Sequence, residues 1–205
     1  MLPPLSLSLQ FEAFERLAQH RALLSRARVR RWVAFALQRS ATIGVRVVGR
    51  PSAQALNLQY RGKDYATNVL TFAYAQGVCR TWGVDSENRP QQDQFAPTLQ
   101  PHSGPMGQKG GEKWAAAVDL QPTMPKSDRL LEPEVHADLV LCGPVVEQEA
   151  AQLGRSLEAH YAHLLVHGTL HAQGWDHETN EREALAMETL EGLLLCALGY
   201  ANPYA

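Results

Sequence analysis

Segments with the hydrophobic period of a β-strand alternate along this chain with segments that have the period of an α-helix. Residues 75–135 interrupt this alternation. Residues 5–11 alternate apolar and polar side chains, which is typical of a half-buried strand, whereas residues 20–39 have the period of an amphipathic helix. Further strands are predicted over 43–48, 69–74 and 137–142, and further helices over 51–62, 145–153, 157–172 and 180–199. The alternation predicts an α+β fold, a small mixed β-sheet of about four strands packed with helices.

The interrupting segment differs from its flanks in composition. Residues 75–135 contain seven prolines and six glycines, are rich in glutamine, and keep neither period. Because 205 residues is an ordinary length for one domain, we predict a single domain, residues 1–205, with an exposed insertion at about 75–135.

Cysteine usage and hydropathy exclude several protein classes. The three cysteines lie far apart with no CxxC pair, so neither a cysteine zinc knuckle nor a disulfide framework is expected. No apolar run reaches the ~18 residues that a membrane span needs, and the first residues do not resemble a signal peptide. We therefore expect a cytoplasmic protein without a membrane partner.

The net charge of the chain is −2, but the charged residues are distributed unevenly along it. Residues 1–75 carry +8 and the remainder −10. Four arginines of the first predicted helix contribute to this excess and are candidate contacts for nucleic-acid phosphates: Arg26, Arg28, Arg30 and Arg31. On charge alone, a solvated helix face is the simpler interpretation.

Three histidines form the strongest chemical pattern. His167 and His171 lie four residues apart within a predicted helix, so their imidazoles share one face. Gly174 is suited to a left-handed turn that ends the helix and returns His177 to the same point. Three imidazoles with one open coordination position predict a catalytic site at the helix end for Zn²⁺ or another divalent transition metal.

The same spacing occurs in metzincin proteases, with one difference. Those enzymes have glutamate as general base after the first histidine, where this chain has Gly168. A zinc peptidase is therefore the less favoured interpretation.

His163 lies one turn before His167. It either packs in the core or contacts a metal-binding histidine from outside the coordination shell, and packing is the simpler interpretation. Asp176 could orient an imidazole N–H from outside the coordination shell.

Three segments together resemble the YbeY family of bacterial metal-dependent endoribonucleases. The run from His167 to His177 is similar to the family signature HGxLHxxGyDH. Residues 56–72, which include Tyr60-Arg61 and Asn68, resemble LN..YRgkd..TDVLSF, and residues 137–139 resemble GDI. The chain departs from these patterns by having Asn68 in place of aspartate and alanine in place of the glycine at position 137.

The resemblance implies a single-strand-specific endoribonuclease that acts in 3′ end maturation of small-subunit rRNA and in ribosome biogenesis. It implies a catalytic role for Arg61, whose simpler interpretation without the family block is a solvated cation at a helix end. Asp64 is a weaker candidate outside the coordination shell. RNA, the small ribosomal subunit and assembly factors are the implied partners. A non-catalytic, metal-stabilised ribosome-assembly factor is the alternative, with a zinc peptidase less favoured.

Overall fold

The computed structural model describes residues 2–74, 134–175 and 181–204. In chain order the elements are β1 (Leu5–Phe11), α1 (Leu17–Leu23), α2 (Arg26–Ala36), β2 (Ala41–Val48), α3 (Arg50–Arg61), β3 (Val69–Tyr74), β4 (Val135–Cys142), α4 (Gly143–Gln152), α5 (Leu157–Ala172) and α6 (Glu181–Leu198). Residues 75–133 of the predicted insertion lie outside the described residues, so its nature stays a prediction.

The four described strands form one mixed sheet in the order β1-β2-β4-β3. β1, β2 and β4 pair in parallel, and β3 pairs with β4 antiparallel. The α+β prediction with about four strands is therefore confirmed. Because β4 follows the predicted insertion and lies between two strands that precede it, the described residues on both sides of that segment share one sheet.

The predicted helix over residues 20–39 is wrong in its continuity and its end. The structure has two helices, because the Ser25 side chain accepts a hydrogen bond from the Arg28 N–H and caps a new helix at that point. α2 then ends at Ala36, since Leu37 has an extended backbone (ψ 136°). β4 also begins two residues earlier than predicted, with Val135 paired to Ala41.

Helices cover both faces of the sheet. The larger core lies on the face that carries α2, α5 and α6, and it includes Trp32, Leu139 and Leu165. A smaller core on the other face brings Ala53 of α3 together with Val140 of β4. α3 and α5 therefore lie on opposite faces, and β3 is the edge strand beside both. No helix among the described residues is long and apolar enough to cross a lipid bilayer.

Candidate metal centre

Helix α5 carries four histidines on one face, and the last three of them adjoin the candidate site. It begins after Ser156, whose side chain accepts a hydrogen bond from the Ala159 N–H, and it ends at Ala172 as predicted. His163, His167 and His171 follow one another at four-residue intervals, so each ring lies one turn from the next. The chain then turns at Gly174, whose φ of 91° is the left-handed conformation that the sequence predicted.

The imidazole rings of His167 and His171 face each other through their Nε2 atoms. The Nε2 atoms of the two residues lie 3.1 Å apart. Two nitrogens bound to one tetrahedral zinc ion at the usual bond length would lie roughly 3.3 Å apart. The pair therefore fits two adjacent coordination positions. The predicted third ligand, His177, and its neighbour Asp176 lie outside the described residues.

A buried carboxylate, that of Glu191, lies against His163 and His167, and the sequence patterns did not predict it. Glu191 of α6 has a fully buried side chain, and its Oε1 lies 3.0 Å from His163 Nε2. Its Oε2 lies 3.2 Å from His167 Nδ1 and accepts a 2.7 Å hydrogen bond from the Tyr204 hydroxyl. His163, His167 and Glu191 form a group of three residues that could hold a metal ion, with one ligand atom from each lying within 4.8 Å of the others.

The charge of Glu191 is maintained by its histidine neighbours. Burial alone would raise the pKa of this carboxyl group, but the adjacent imidazoles of His163 and His167 hold its pKa to about 2. Glu191 is therefore an ionised acceptor near neutral pH. Burial and the hydrogen bond to Glu191 raise the pKa of Tyr204, so its hydroxyl stays protonated and donates to the carboxylate.

A cavity of about 250 Å³ adjoins this cluster. Its polar lining consists of Asn68, His163, His167, Glu188, Glu191 and Tyr204. Asn68 Nδ2 donates to Glu149 Oε2 (3.0 Å), while its Oδ1 accepts from the Val69 N–H (2.7 Å). An aspartate at position 68 would place a second carboxylate against Glu149, so the amide is the residue that fits this neighbour.

Comparisons with known proteins show the family of this chain. The family model described as Endoribonuclease YbeY matches residues 16–199. The chain belongs to the YbeY family. A relative from Polaromonas sp. named Endoribonuclease YbeY is 47% identical over 203 residues, which cover 99% of this chain and 96% of the relative. A relative of the same name from Delftia acidovorans is 43% identical over 204 residues, covering 100% and 98%. The solution structure of a protein from Thermotoga maritima is 16% identical with a TM-score of 0.45, covering 92% of this chain and 86% of that one.

Gly168 of this YbeY-family chain faces the sheet. A Cβ atom at this position would lie 3.0 Å from Leu139 Cδ2 and 3.1 Å from Thr71 Oγ1, so α5 packs so closely on β3 and β4 that even a methyl group would force these side chains to shift. A glutamate here would have to enter the packed core. The general base of a zincin protease therefore has no room at this position.

We expect Gly168→Glu to lower the free energy of unfolding by about 4 kcal/mol or more, because it combines overpacking with a buried charge. Chemical denaturation of the metal-free protein measures the change. Leu193→Glu is the matched control, since Leu193 is 65% exposed on α6, and it should change stability by less than ~0.5 kcal/mol. Equal stability of Gly168→Glu and wild type would contradict the close packing of α5 on the sheet.

Arg61 is the last residue of α3, and its side chain is exposed. The helix ends there because Gly62 adopts a left-handed conformation with φ of 68°. The neighbouring Tyr60 ring packs edge-to-face against Phe72 of the edge strand β3, with ring centroids 5.0 Å apart. Arg61 does not line the cavity described above, and a contact with a ligand at the histidines requires its side chain to extend past β3. Asp64 accepts a hydrogen bond from Gln54 Nε2 (2.8 Å), which places it against α3.

The four arginines of α2 divide by their contacts. Arg26 and Arg30 donate to the backbone carbonyls of Leu7 and Leu5 respectively, so both cover the free edge of β1. Arg28 donates to a backbone carbonyl at the end of α1 and pairs with a glutamate of α5. Arg31 is exposed. Three of the four arginines thus have a structural function that their charge alone does not reveal.

Proposed function

We propose that this chain is a single-strand-specific, metal-dependent endoribonuclease that acts in the cytoplasm in 3′ end maturation of small-subunit rRNA and in ribosome biogenesis. The observation that carries the proposal is the convergence of His167 Nε2 and His171 Nε2 at 3.1 Å in a YbeY-family chain. Relatives that cover nearly the whole chain are named endoribonucleases, which supports RNA as the substrate.

The proposed ligands are the imidazoles of His167, His171 and His177, and a divalent ion such as Zn²⁺ is the proposed cofactor. When bound, such an ion lowers the pKa of a coordinated water and polarises a phosphoryl oxygen. The two described imidazoles have the spacing that this coordination needs. A hydroxide generated in this way agrees with the absence of a glutamate beside the first histidine of the motif.

Arg61 is the proposed catalytic cation. Its guanidinium can contact two non-bridging phosphate oxygens at once and so stabilise the negative charge that develops on them. The exposed position of Arg61 at the end of α3 leaves the side chain accessible to a polynucleotide. An RNA strand that contacts both Arg61 and the histidines would have to pass along the edge strand β3.

Cleavage of a labelled single-stranded RNA, compared with the same sequence in a duplex, tests the activity. We expect metal-dependent cleavage of the single strand, no cleavage of the duplex, and no cleavage in the presence of a chelator. A metal-stabilised assembly factor would bind zinc without cleaving RNA above the chelated control. A zinc peptidase would instead degrade casein.

Arg31 offers a specific test of RNA binding by α2. We expect Arg31→Ala to weaken single-stranded RNA binding and to reduce the slope of log affinity against log salt by about 0.7, the effect of losing one phosphate contact. Its unfolding free energy should change by less than ~0.5 kcal/mol. Filter binding over a salt series measures the first effect, and denaturation measures the second.

Two further variants control for this result. Arg30→Ala removes the same charge together with the contact to β1, so it should also lower stability by about 1 kcal/mol. Arg182→Ala removes an exposed charge of α6 and should leave the salt slope unchanged. An Arg31→Ala protein with wild-type affinity and slope would exclude α2 as an RNA-binding surface.

A further inference from the structure

We propose that Glu191 is a positioning residue for the metal site of the proposed endoribonuclease, and that Tyr204 fixes Glu191 in turn. This inference rests on the proposed function for the metal and names two residues, remote in sequence from the histidine motif, that set its geometry. Glu191 acts through His167 and has no proposed contact with RNA.

The contact between Glu191 and His167 selects one form of the imidazole. Glu191 Oε2 is an acceptor 3.2 Å from His167 Nδ1, so Nδ1 carries the proton. Nε2 of the neutral ring then keeps its lone pair, and this atom faces His171 Nε2 at 3.1 Å. A carboxylate behind a metal-binding imidazole fixes both the tautomer and the ring orientation in this way.

Burial and hydrogen bonds also hold the Glu191 side chain in place. Its side chain is completely buried, Oε2 accepts a 2.7 Å hydrogen bond from the Tyr204 hydroxyl, and Oε1 lies 3.0 Å from His163 Nε2 without a hydrogen bond among the described residues. Burial and the two hydrogen bonds to Oε2, from His167 and Tyr204, limit the rotation of this carboxylate, so the ring of His167 also stays in one orientation. His163 is thus a neighbour of Glu191 and not merely a packing residue.

The segment that carries Tyr204 is docked onto the body of the protein. Arg155 Nη2 donates to the backbone carbonyl of Pro203 (2.7 Å), and Asn202 Oδ1 accepts from the Tyr204 N–H (3.0 Å). A Cβ atom on Gly192 would lie only 2.8 Å from Asn202 Oδ1. The Asn202 side chain therefore packs closely against α6 at the residue next to Glu191.

Zinc affinity, measured by competition with a chromophoric chelator, tests this assignment. Glu191→Met keeps the side-chain length but removes both acceptors, and it should weaken zinc binding by about 10–100-fold. Glu191→Gln keeps one acceptor and should restore part of that loss. Tyr204→Phe should weaken binding by less than Glu191→Met does. Glu15→Met is the control, because Glu15 is an exposed glutamate that does not line this cavity, and it should bind zinc like wild type.

A second readout separates positioning from general destabilisation. In the zinc-loaded wild type, the Nδ1–H proton of His167 should give a resolved, slowly exchanging NMR signal. The signal should persist in Glu191→Gln and disappear in Glu191→Met at saturating zinc. Should Glu191→Met fail to fold, Tyr204→Phe decides: a shifted signal with weaker zinc binding supports the assignment, and an unchanged signal with wild-type affinity overturns it.

The outcomes distinguish this inference from the function on which it rests. Wild-type zinc affinity in Glu191→Met, together with a large loss in His171→Ala, would overturn the positioning role and leave the metal site intact. Failure of the wild type to bind zinc, or wild-type affinity in His171→Ala, would overturn the metal site itself and the inference with it.

Discussion

Replacement of His171 by alanine should lower the affinity for Zn²⁺ by more than about 100-fold, a larger effect than that expected for a residue outside the coordination shell. His171 supplies one of two described Nε2 atoms that converge at 3.1 Å. Without it, His167 alone among the described residues of α5 would offer a nitrogen to that position. RNA cleavage at a fixed, low zinc concentration should be lost in parallel, because the nucleophile depends on the bound ion.

A histidine outside the motif provides the control for this substitution. His136 lies on β4 with a partly exposed side chain, and His136→Ala should bind zinc and cleave RNA like wild type. Isothermal titration with zinc and a gel assay of RNA cleavage measure the two properties. Undiminished zinc affinity in His171→Ala would remove this residue from the metal site.

Replacement of Arg61 by alanine should slow RNA cleavage by about 100–1,000-fold, the usual effect of removing one donor that stabilises transition-state charge. Zinc affinity should not change, because Arg61 lies at the end of α3 and is not one of the residues of the metal-binding cluster. Arg61→Lys should recover part of the activity, since an ammonium group keeps the charge but cannot contact two phosphate oxygens in the same planar geometry.

Lys63 supplies the matched control, because it carries the same charge two residues later and is also exposed. Lys63→Ala should cleave within a few-fold of wild type, as expected for a surface charge that affects only the approach of RNA. Single-turnover rates with saturating protein separate slower chemistry from weaker binding. Equal single-turnover rates for Arg61→Ala and wild type would contradict the catalytic role of Arg61.

The parts of the fold that local periodicity determines were predictable from the sequence. Strand β3 spans Val69–Tyr74 and helix α5 spans Leu157–Ala172, as their hydrophobic patterns predict. The left-handed turn at Gly174 follows from the freedom of glycine to adopt positive φ. The break before α2 was missed because a long helical period outweighed the capping signal of Ser25.

Glu191 could not be assigned from periodicity because α6 is apolar on more than one side. Leu193 belongs to an apolar stripe with Leu190 and Leu194, yet its side chain is 65% exposed. The structure instead buries Met187, Glu191 and Leu195, which follow one another at four-residue intervals. The docking of α6 on α5 decides which face is buried. A carboxylate between two apolar residues at helical spacing was the available signal.

The arginines of α2 show why a count of charges does not by itself identify an RNA-binding surface. A count of charges treats Arg26, Arg30 and Arg31 alike, but the first two donate hydrogen bonds to carbonyls of the edge strand β1. These contacts depend on which strand lies at the edge of the sheet, and strand order is a property of the whole fold. The RNA-binding prediction for this helix therefore depends on the salt titration of the Arg31 variant.

The rate of single-stranded RNA cleavage as a function of added zinc, measured on wild type, Arg61→Ala and His171→Ala prepared identically, tests the central claim most directly. The proposed function predicts that wild type cleaves in proportion to bound zinc. Arg61→Ala should bind zinc equally but cleave at least ~100-fold more slowly, and His171→Ala should need far more zinc for any activity. Identical cleavage by all three proteins, or cleavage by wild type that continues in excess chelator, would contradict a metal-dependent endoribonuclease built on these residues.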